Sequence, residues 1–217
     1  MKTYTICLVG LEQYRSVVVG GGKIAARKAE TLLEAGARVT AISPEFCAVF
    51  QDLVRLYPSL EMISRQYQEG DLADAFLVIA ATNDAVINHS VWEEAVRRGC
   101  LINVVDDPQH SNFILPALAR RGEITLAVST GGASPALARR LREKLESSVG
   151  AEYGDLAAIM AELRPELKAR FAPGAARLQA ALRLVDSDLL EVIRSQGMEV
   201  ARKYALELLA AQAEVND

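Results

Sequence analysis

The chain has 217 residues, 51% of them hydrophobic and 24% charged, with a formal net charge of -4. That is enough apolar material for a sizeable core without disulfide or metal staples, and the acidic balance argues against general affinity for nucleic acid. Cys7, Cys47 and Cys100 are odd in number, widely spaced and without a CxxC pair, so neither a disulfide framework nor a zinc site is indicated. The apolar run before Glu12 is too short for a secretory segment and no later stretch approaches a membrane span, which predicts a soluble, cytoplasmic protein.

In chain order, RSVVVG (15–20) is a β-branched run ending in glycine, and residues 23–36 set alanine, leucine and charged residues at helical spacing up to Gly36. The pair reads as strand, tight turn, helix. RVTAIS (38–43), EMISRQ (61–66), FLVIAA (76–81) and LINVVD (101–106) predict four more strands, with amphipathic segments such as 84–99 between most of them. Nearly continuous apolar strands alternating with helices predict an α/β fold, a Rossmann-like doubly wound parallel sheet covered on both faces. After Asp106 the alternation changes. One strand, ITLAVST (124–130), precedes a helix with Ser134 as N-cap and Pro135 in its first turn. From about residue 150 the composition is helical, with breaks expected at Pro165, at APGA (172–175) and near Gly197. The expected plan is a Rossmann domain over 1–112, a short central segment over 113–149 and an all-helical domain over 150–217.

Gly20, Gly22 and Ala25 match G-x-G-x-x-G/A with a strand before and a helix after, the context that the dinucleotide fingerprint requires. Gly20 permits the sharp turn, Gly22 lets backbone approach a pyrophosphate and Ala25 allows close helix–strand packing. The phosphates would meet the free N–H groups of the helix start, which brings in Lys23 and Ile24. The competing reading is a tight βα turn without a ligand. The second strand ends in Ser43 and Pro44 rather than in an acid, and Glu45 lies just beyond; with no arginine immediately following, NAD is preferred over NADP. Thr82 and Asn83, at the end of the fourth strand, are cofactor candidates, although Asn83-Asp84 reads equally as a helix cap. Asp106, at the carboxyl end of the fifth strand, is the candidate base, and the alternative is a plain turn residue.

At this point the chain is recognisable. VVVGGGKIAARKAETLLEAGARVTAISPE, LVIAATND, INVVDDPQHSNFILPA and LAVSTGGASPALARRLREKLE together resemble the precorrin-2 dehydrogenase family, also found as the N-terminal dehydrogenase and ferrochelatase module of sirohaem synthases. The resemblance runs in order through roughly residues 15–147. It implies NAD-dependent oxidation of precorrin-2 to sirohydrochlorin on the route to sirohaem, in some members followed by insertion of ferrous iron, and a homodimer with the central segment serving dimerisation. It also marks Asp106 as the catalytic residue. Asn103, which opens the NVVD motif, joins the substrate-side candidates. The family often has S-S-G-G where this chain has Ser129-Thr130-Gly131-Gly132, so a role that needs serine at 130 does not carry over.

Precorrin-2 carries many carboxylates, which cations would bind. Arg120, Arg121, Arg139, Arg140, Arg142 and Lys144 offer them, Arg139 and Arg142 sharing a helix face; for each arginine the competing reading is a solvated face. Ser129, Thr130 and Gly131 form a turn whose N–H groups suit a carboxylate, or whose glycines permit close approach at a dimer interface. Phe113 and Pro116 read as an apolar wall. His110 reads as a proton shuttle, an iron ligand or neither, and His89 as structural; one histidine and one carboxylate do not make a metal site, so no resident metal is expected. The alternative function is a regulatory module that senses NAD(H) without catalysis.

Overall fold

A computed structural model describes residues 3–214, and the chain divides into two compact units at Leu115/Pro116. In the first unit β1 (Arg15–Val19), β2 (Arg38–Ile42), β3 (Leu60–Ile63), β4 (Ala75–Ala80) and β5 (Leu101–Val104) form one sheet in the order β3-β2-β1-β4-β5. Every pairing is parallel. Helices α1 (Lys23–Glu34), α2 (Ala48–Leu56) and α3 (Ala85–Arg98) make three of the four crossovers, and the irregular residues 64–74 make the one from β3 to β4. Val17, Val18 and Val19 are all buried because alternate residues of β1 face opposite layers. Val18 packs with Ala25, Ala29, Leu33, Phe50 and Leu53; Val17 and Val19 pack with Val91, Ala95 and Leu72. Each fully buried valine stabilises the unit by about 1.5–3 kcal/mol. This is the expected doubly wound sheet.

Two strands of this sheet end two or more residues earlier than the sequence suggests. β3 stops at Ile63, and Arg65 and Gln66 belong to an irregular segment that reaches β4. β5 stops at Val104, because Val105 and Asp106 turn the chain: Asp107 N–H donates to Val104 O at 3.1 Å and Asp106 has φ 59°. Apolar character continues into Val105, so composition alone could not place that end. The outer edge of β5 is covered by side chains imitating a strand. Asn112 Oδ1 accepts from Ile102 N–H at 2.8 Å, Asn112 Nδ2 donates to Cys100 O at 3.0 Å, and Ser111 Oγ accepts from Val104 N–H at 3.0 Å. Such cover suppresses edge pairing with other chains.

The second unit begins with an antiparallel hairpin, β6 (Ala117–Arg121) and β7 (Ile124–Val128). Gly122, at φ 54°, is the first residue of its two-residue loop, where a II′ turn calls for glycine. Only the second strand was expected, and it ends at Val128 rather than 130. ALARR has no β-branched residue, and its strand state comes from pairing with β7 rather than from its own propensity. Helix α4 (Pro135–Ser148) starts as expected, Ser134 Oγ accepting from Leu137 N–H at 3.2 Å. Then come α5 (Ala151–Arg170), α6 (Ala175–Val185), α7 (Leu189–Gln196) and α8 (Met198–Glu214). The chain breaks at 171–174 and at Gly197, as expected, and also at 186–188. It does not break at Pro165, which lies inside α5. Proline there removes one hydrogen bond, but the buried stripe Ile159, Leu163, Leu167 runs through it and holds the helix to the core formed with Leu184, Leu189, Ala205 and Leu209. Gly154 lets α5 meet the hairpin, since a Cβ there would come within 2.7 Å of Arg121 O. No helix among the described residues is long and apolar enough to cross a membrane.

Candidate functional site

At the carboxyl ends of β1, β2 and β4 lies a cleft of about 510 Å³, lined by the glycine turn, by residues 42–47, by Gln66 and Tyr67, and by residues 81–84 with Ile87. The three glycines meet three different demands. Gly20 has φ 127° and a Cβ there would lie 2.4 Å from Ala81 O, so glycine alone fits between β1 and β4. Gly21 would place a Cβ 1.8 Å from Glu45 O, and its carbonyl accepts from Cys47 N–H at 2.8 Å; it docks the loop after β2 against the turn. A Cβ on Gly22 would meet no atom within 4 Å. Gly22 is the N-cap of α1 and supplies no side-chain cap, so the first-turn N–H groups of Lys23, Ile24 and Ala25 gain no acceptor from it. Open space beside uncapped N–H groups at the positive end of a helix is what a pyrophosphate needs. The donor set therefore fits a dinucleotide.

Ala25 is fully buried and serves as the close-packing residue; Lys23 and Ile24 are exposed. Ser43 and Pro44 line the cleft, although the Ser43 hydroxyl is already spent on Glu45 O at 2.7 Å. Thr82 and Asn83 line it too. Thr82 Oγ1 bonds Asn88 Oδ1 at 2.8 Å, which fixes the loop after β4. The helix cap is Asp84, accepting from Val86 and Ile87 N–H groups.

Asp106 follows β5, two strands from the glycine corner in the sheet order. Its backbone is left-handed, at φ 59°, and its neighbour Asp107 anchors the turn. Asp107 accepts from Gln109 N–H and His110 N–H, both at 3.2 Å, and pairs with His110 Nδ1 at 2.6 Å. His110 holds the Asp107 carboxyl below the usual carboxylate range. The His110 ring stands edge-on to Trp92 and His89, with centroids 4.5 and 5.3 Å away, so both histidines sit in one aromatic cluster. No group of three or more metal-ligating side chains among the described residues is arranged to hold a metal ion. The Asp106 charge acts on Lys28 of α1, whose ammonium is drawn below its ordinary range by burial first and by Arg27 second. Asn103 is buried and donates from Nδ2 to Phe113 O at 3.1 Å; Phe113 packs on the α1 side of the sheet. The two residues hold the chain as it returns along β5.

Ser129, Thr130, Gly131, Arg139 and Arg142 all belong to the second unit. Ser129 Oγ accepts from Gly131 N–H at 3.2 Å, and Thr130 Oγ1 bonds both N–H and C=O of Ser134. A serine hydroxyl could make the same pair of bonds, so threonine preserves the turn. Arg139 pairs with Glu143 at 3.0 Å and Arg142 with Glu146. Each arginine thus has a carboxylate partner one turn along α4.

Four residues of the first unit escaped the sequence reading. Gly21 was legible in principle, as the middle of three consecutive glycines. Lys28 required knowing that the fold brings this position of α1 into the field of Asp106. Gln66 was the last residue of a stretch expected to be strand and Tyr67 the one after it, and no local signal shows that the chain has left the sheet by then.

The family model described as "Putative NAD(P)-binding" matches residues 7–117, that for "Sirohaem biosynthesis protein central" matches 121–148, and that for "Sirohaem synthase dimerisation region" matches 152–209. Siroheme synthase 1 of Aeromonas salmonicida is 38% identical over 198 residues, covering 90% of this chain and 42% of that protein. Siroheme synthase of Nitrosospira multiformis is 40% identical over 194 residues, with 88% and 41% covered. The chain thus spans about two fifths of the length of these curated relatives. The solved structure of SirC, precorrin-2 dehydrogenase, superposes with a TM-score of 0.70 at 28% identity, covering 96% of this chain and 100% of that one. The first of these models takes in more than half of the chain, and the glycine corner it contains has the geometry the name requires: the chain belongs to this NAD(P)-binding family.

Proposed function

We propose that the chain is an NAD-dependent precorrin-2 dehydrogenase that produces sirohydrochlorin for sirohaem synthesis. The observation that carries this reading is the likeness to SirC, precorrin-2 dehydrogenase, which takes in nearly the whole of both chains. Gly20, Gly22 and the N–H groups of Lys23, Ile24 and Ala25 would hold the pyrophosphate, with Ser43, Pro44, Thr82 and Asn83 along the cleft. The bound nicotinamide would supply the hydride acceptor. Removing two hydrogens from precorrin-2 releases one hydride and one proton, and Asp106 accepts the proton. Lys28 keeps that carboxylate in a cationic neighbourhood. Asn103 and Phe113 shape the substrate side, and Ser129, Thr130, Gly131, Arg139 and Arg142 bind rim carboxylates, the arginines exchanging their Glu143 and Glu146 partners for substrate.

The three-part plan of 1–112, 113–149 and 150–217 goes with this reading, as does a homodimer; the "Sirohaem synthase dimerisation region" match over 152–209 supports the latter. The reading extends to insertion of ferrous iron, a substrate here, with Asp106 taking up the pyrrole protons that the metal displaces. The test is anaerobic spectroscopy of purified chain with precorrin-2 and NAD. Sirohydrochlorin and NADH should appear in equal amounts. NAD binding without either product would overturn the enzymatic reading in favour of a sensor of NAD(H). Adding ferrous iron to purified sirohydrochlorin tests chelation separately: unaccelerated metal uptake removes that activity.

A further inference from the structure

Glu94, in α3, is the one fully buried charged side chain among the described residues, at 1% exposure, and the proposed chemistry gives it no task. Its carboxylate is saturated with donors. It accepts from the Tyr67 hydroxyl, from Gly70 N–H at 3.1 Å, from Leu72 N–H at 3.3 Å and from Arg98 Nε at 2.6 Å. Three of the four belong to residues 67–72, an irregular stretch between β3 and β4 that has no sheet or helix bonds of its own to hold it. A buried carboxylate is costly unless satisfied, so the segment and Glu94 fix one another. The outer end of this stretch is a wall of the cleft, lined by Gln66 and Tyr67. β3 lies at the far edge of the sheet from β5, so a dinucleotide crossing the glycine corner toward Asp106 would leave its adenosine half on the Gln66–Tyr67 side.

We propose that Glu94 is a positioning residue for the cofactor: without touching it, the buried carboxylate sets Gln66 and Tyr67 as the adenosine wall of the cleft. This rests on the NAD-binding reading above. Preorganising a wall raises affinity by removing the cost of ordering it on binding. The full chain is titrated calorimetrically with NAD and with ADP as wild type, E94Q and L11A. Leu11 is buried in the core layer on the other face of the sheet, which contains no residue of 66–72, and it precedes β1, away from the carboxyl ends that form the cleft; L11A lowers thermal stability without touching the segment. E94Q should weaken NAD and ADP alike by about tenfold and speed hydrogen exchange at the Gly70 and Leu72 amides. L11A should bind both ligands as wild type does. Wild-type affinity in E94Q despite faster exchange overturns the proposal, as does an equal loss in L11A, and a loss for NAD but not ADP overturns the adenosine placement. Wild-type protein that binds neither ligand fails the cofactor reading itself, and this proposal with it.

Discussion

At the residue scale, three adjacent glycines separate folding from binding. Gly22→Asp adds a side chain where no atom stands within 4 Å, at an N-cap position that favours aspartate. Its melting temperature should therefore match or exceed wild type, while charge beside the phosphates reduces NAD affinity by about 100-fold or more; calorimetry of both quantities on one sample checks this, and unchanged affinity would refute the phosphate placement. Gly21→Ala should do the reverse, losing on the order of 1–3 kcal/mol in urea unfolding, because its Cβ would overlap Glu45 O. Asp106 raises a separate issue, since it sits at φ 59°, where asparagine is also tolerated. Asp106→Asn should fold normally and bind NAD within about twofold of wild type, yet lose on the order of 10²–10⁴ in turnover; wild-type rates would remove its catalytic assignment. The sequence pointed to Asp106 by its place after a strand. The left-handed turn was not legible, because it is closed by a hydrogen bond to Val104 rather than by a glycine.

At the scale of elements, legibility followed how local the cause was. The α4 start at Ser134-Pro135 is a bond between residues three apart, and it was readable; Ser134→Ala should cost about 1 kcal/mol in a urea titration. β6 and the continuity of α5 through Pro165 depend on pairing with β7 and on packing against α7 and α8, neither visible in a local window. The loop between β3 and β4 is likewise organised from a distance. Arg65 bonds Asp71 through both terminal nitrogens at 2.7 and 2.6 Å, and this, with the Gln68 N–H, holds the Asp71 carboxyl below its ordinary range despite burial. Burial pushes Glu94 upward, but Tyr67, Gly70 N–H and Arg98 outweigh it and leave the carboxyl lowered. A lowered folded-state value means that the stabilisation is complete above about pH 4, the ordinary carboxylate range, and is lost as pH falls through the folded value. Urea midpoints should thus hold level from pH 7 to about 5 and decline below pH 4. Asp71→Asn should flatten that acid limb; an unchanged limb would show that Asp71 is not among its causes.

At the scale of the whole molecule, the chain is two units with separate cores, and the family models follow that division in order. Function should divide accordingly. Ile159→Ala, at a position 1% exposed in the second core, should lose about 2–5 kcal/mol of that unit's stability while leaving NAD affinity within about twofold of wild type. Light scattering on the same variant would report whether the proposed dimer depends on the helical unit. The doubly wound sheet was legible because its apolar strands alternate with helices along the chain. The substrate side was not, because its candidates lie in both units and many are already paired with nearby protein groups. The central claim is that a dinucleotide crosses the α1 corner from the β3 side toward Asp106. A crystal structure grown with NAD tests it most directly. It should show pyrophosphate oxygens on the N–H groups at Gly22 and the first turn of α1, adenosine against Gln66 and Tyr67, and nicotinamide on the β5 side; a dinucleotide lying in the opposite sense, or bound away from this corner, would contradict the account.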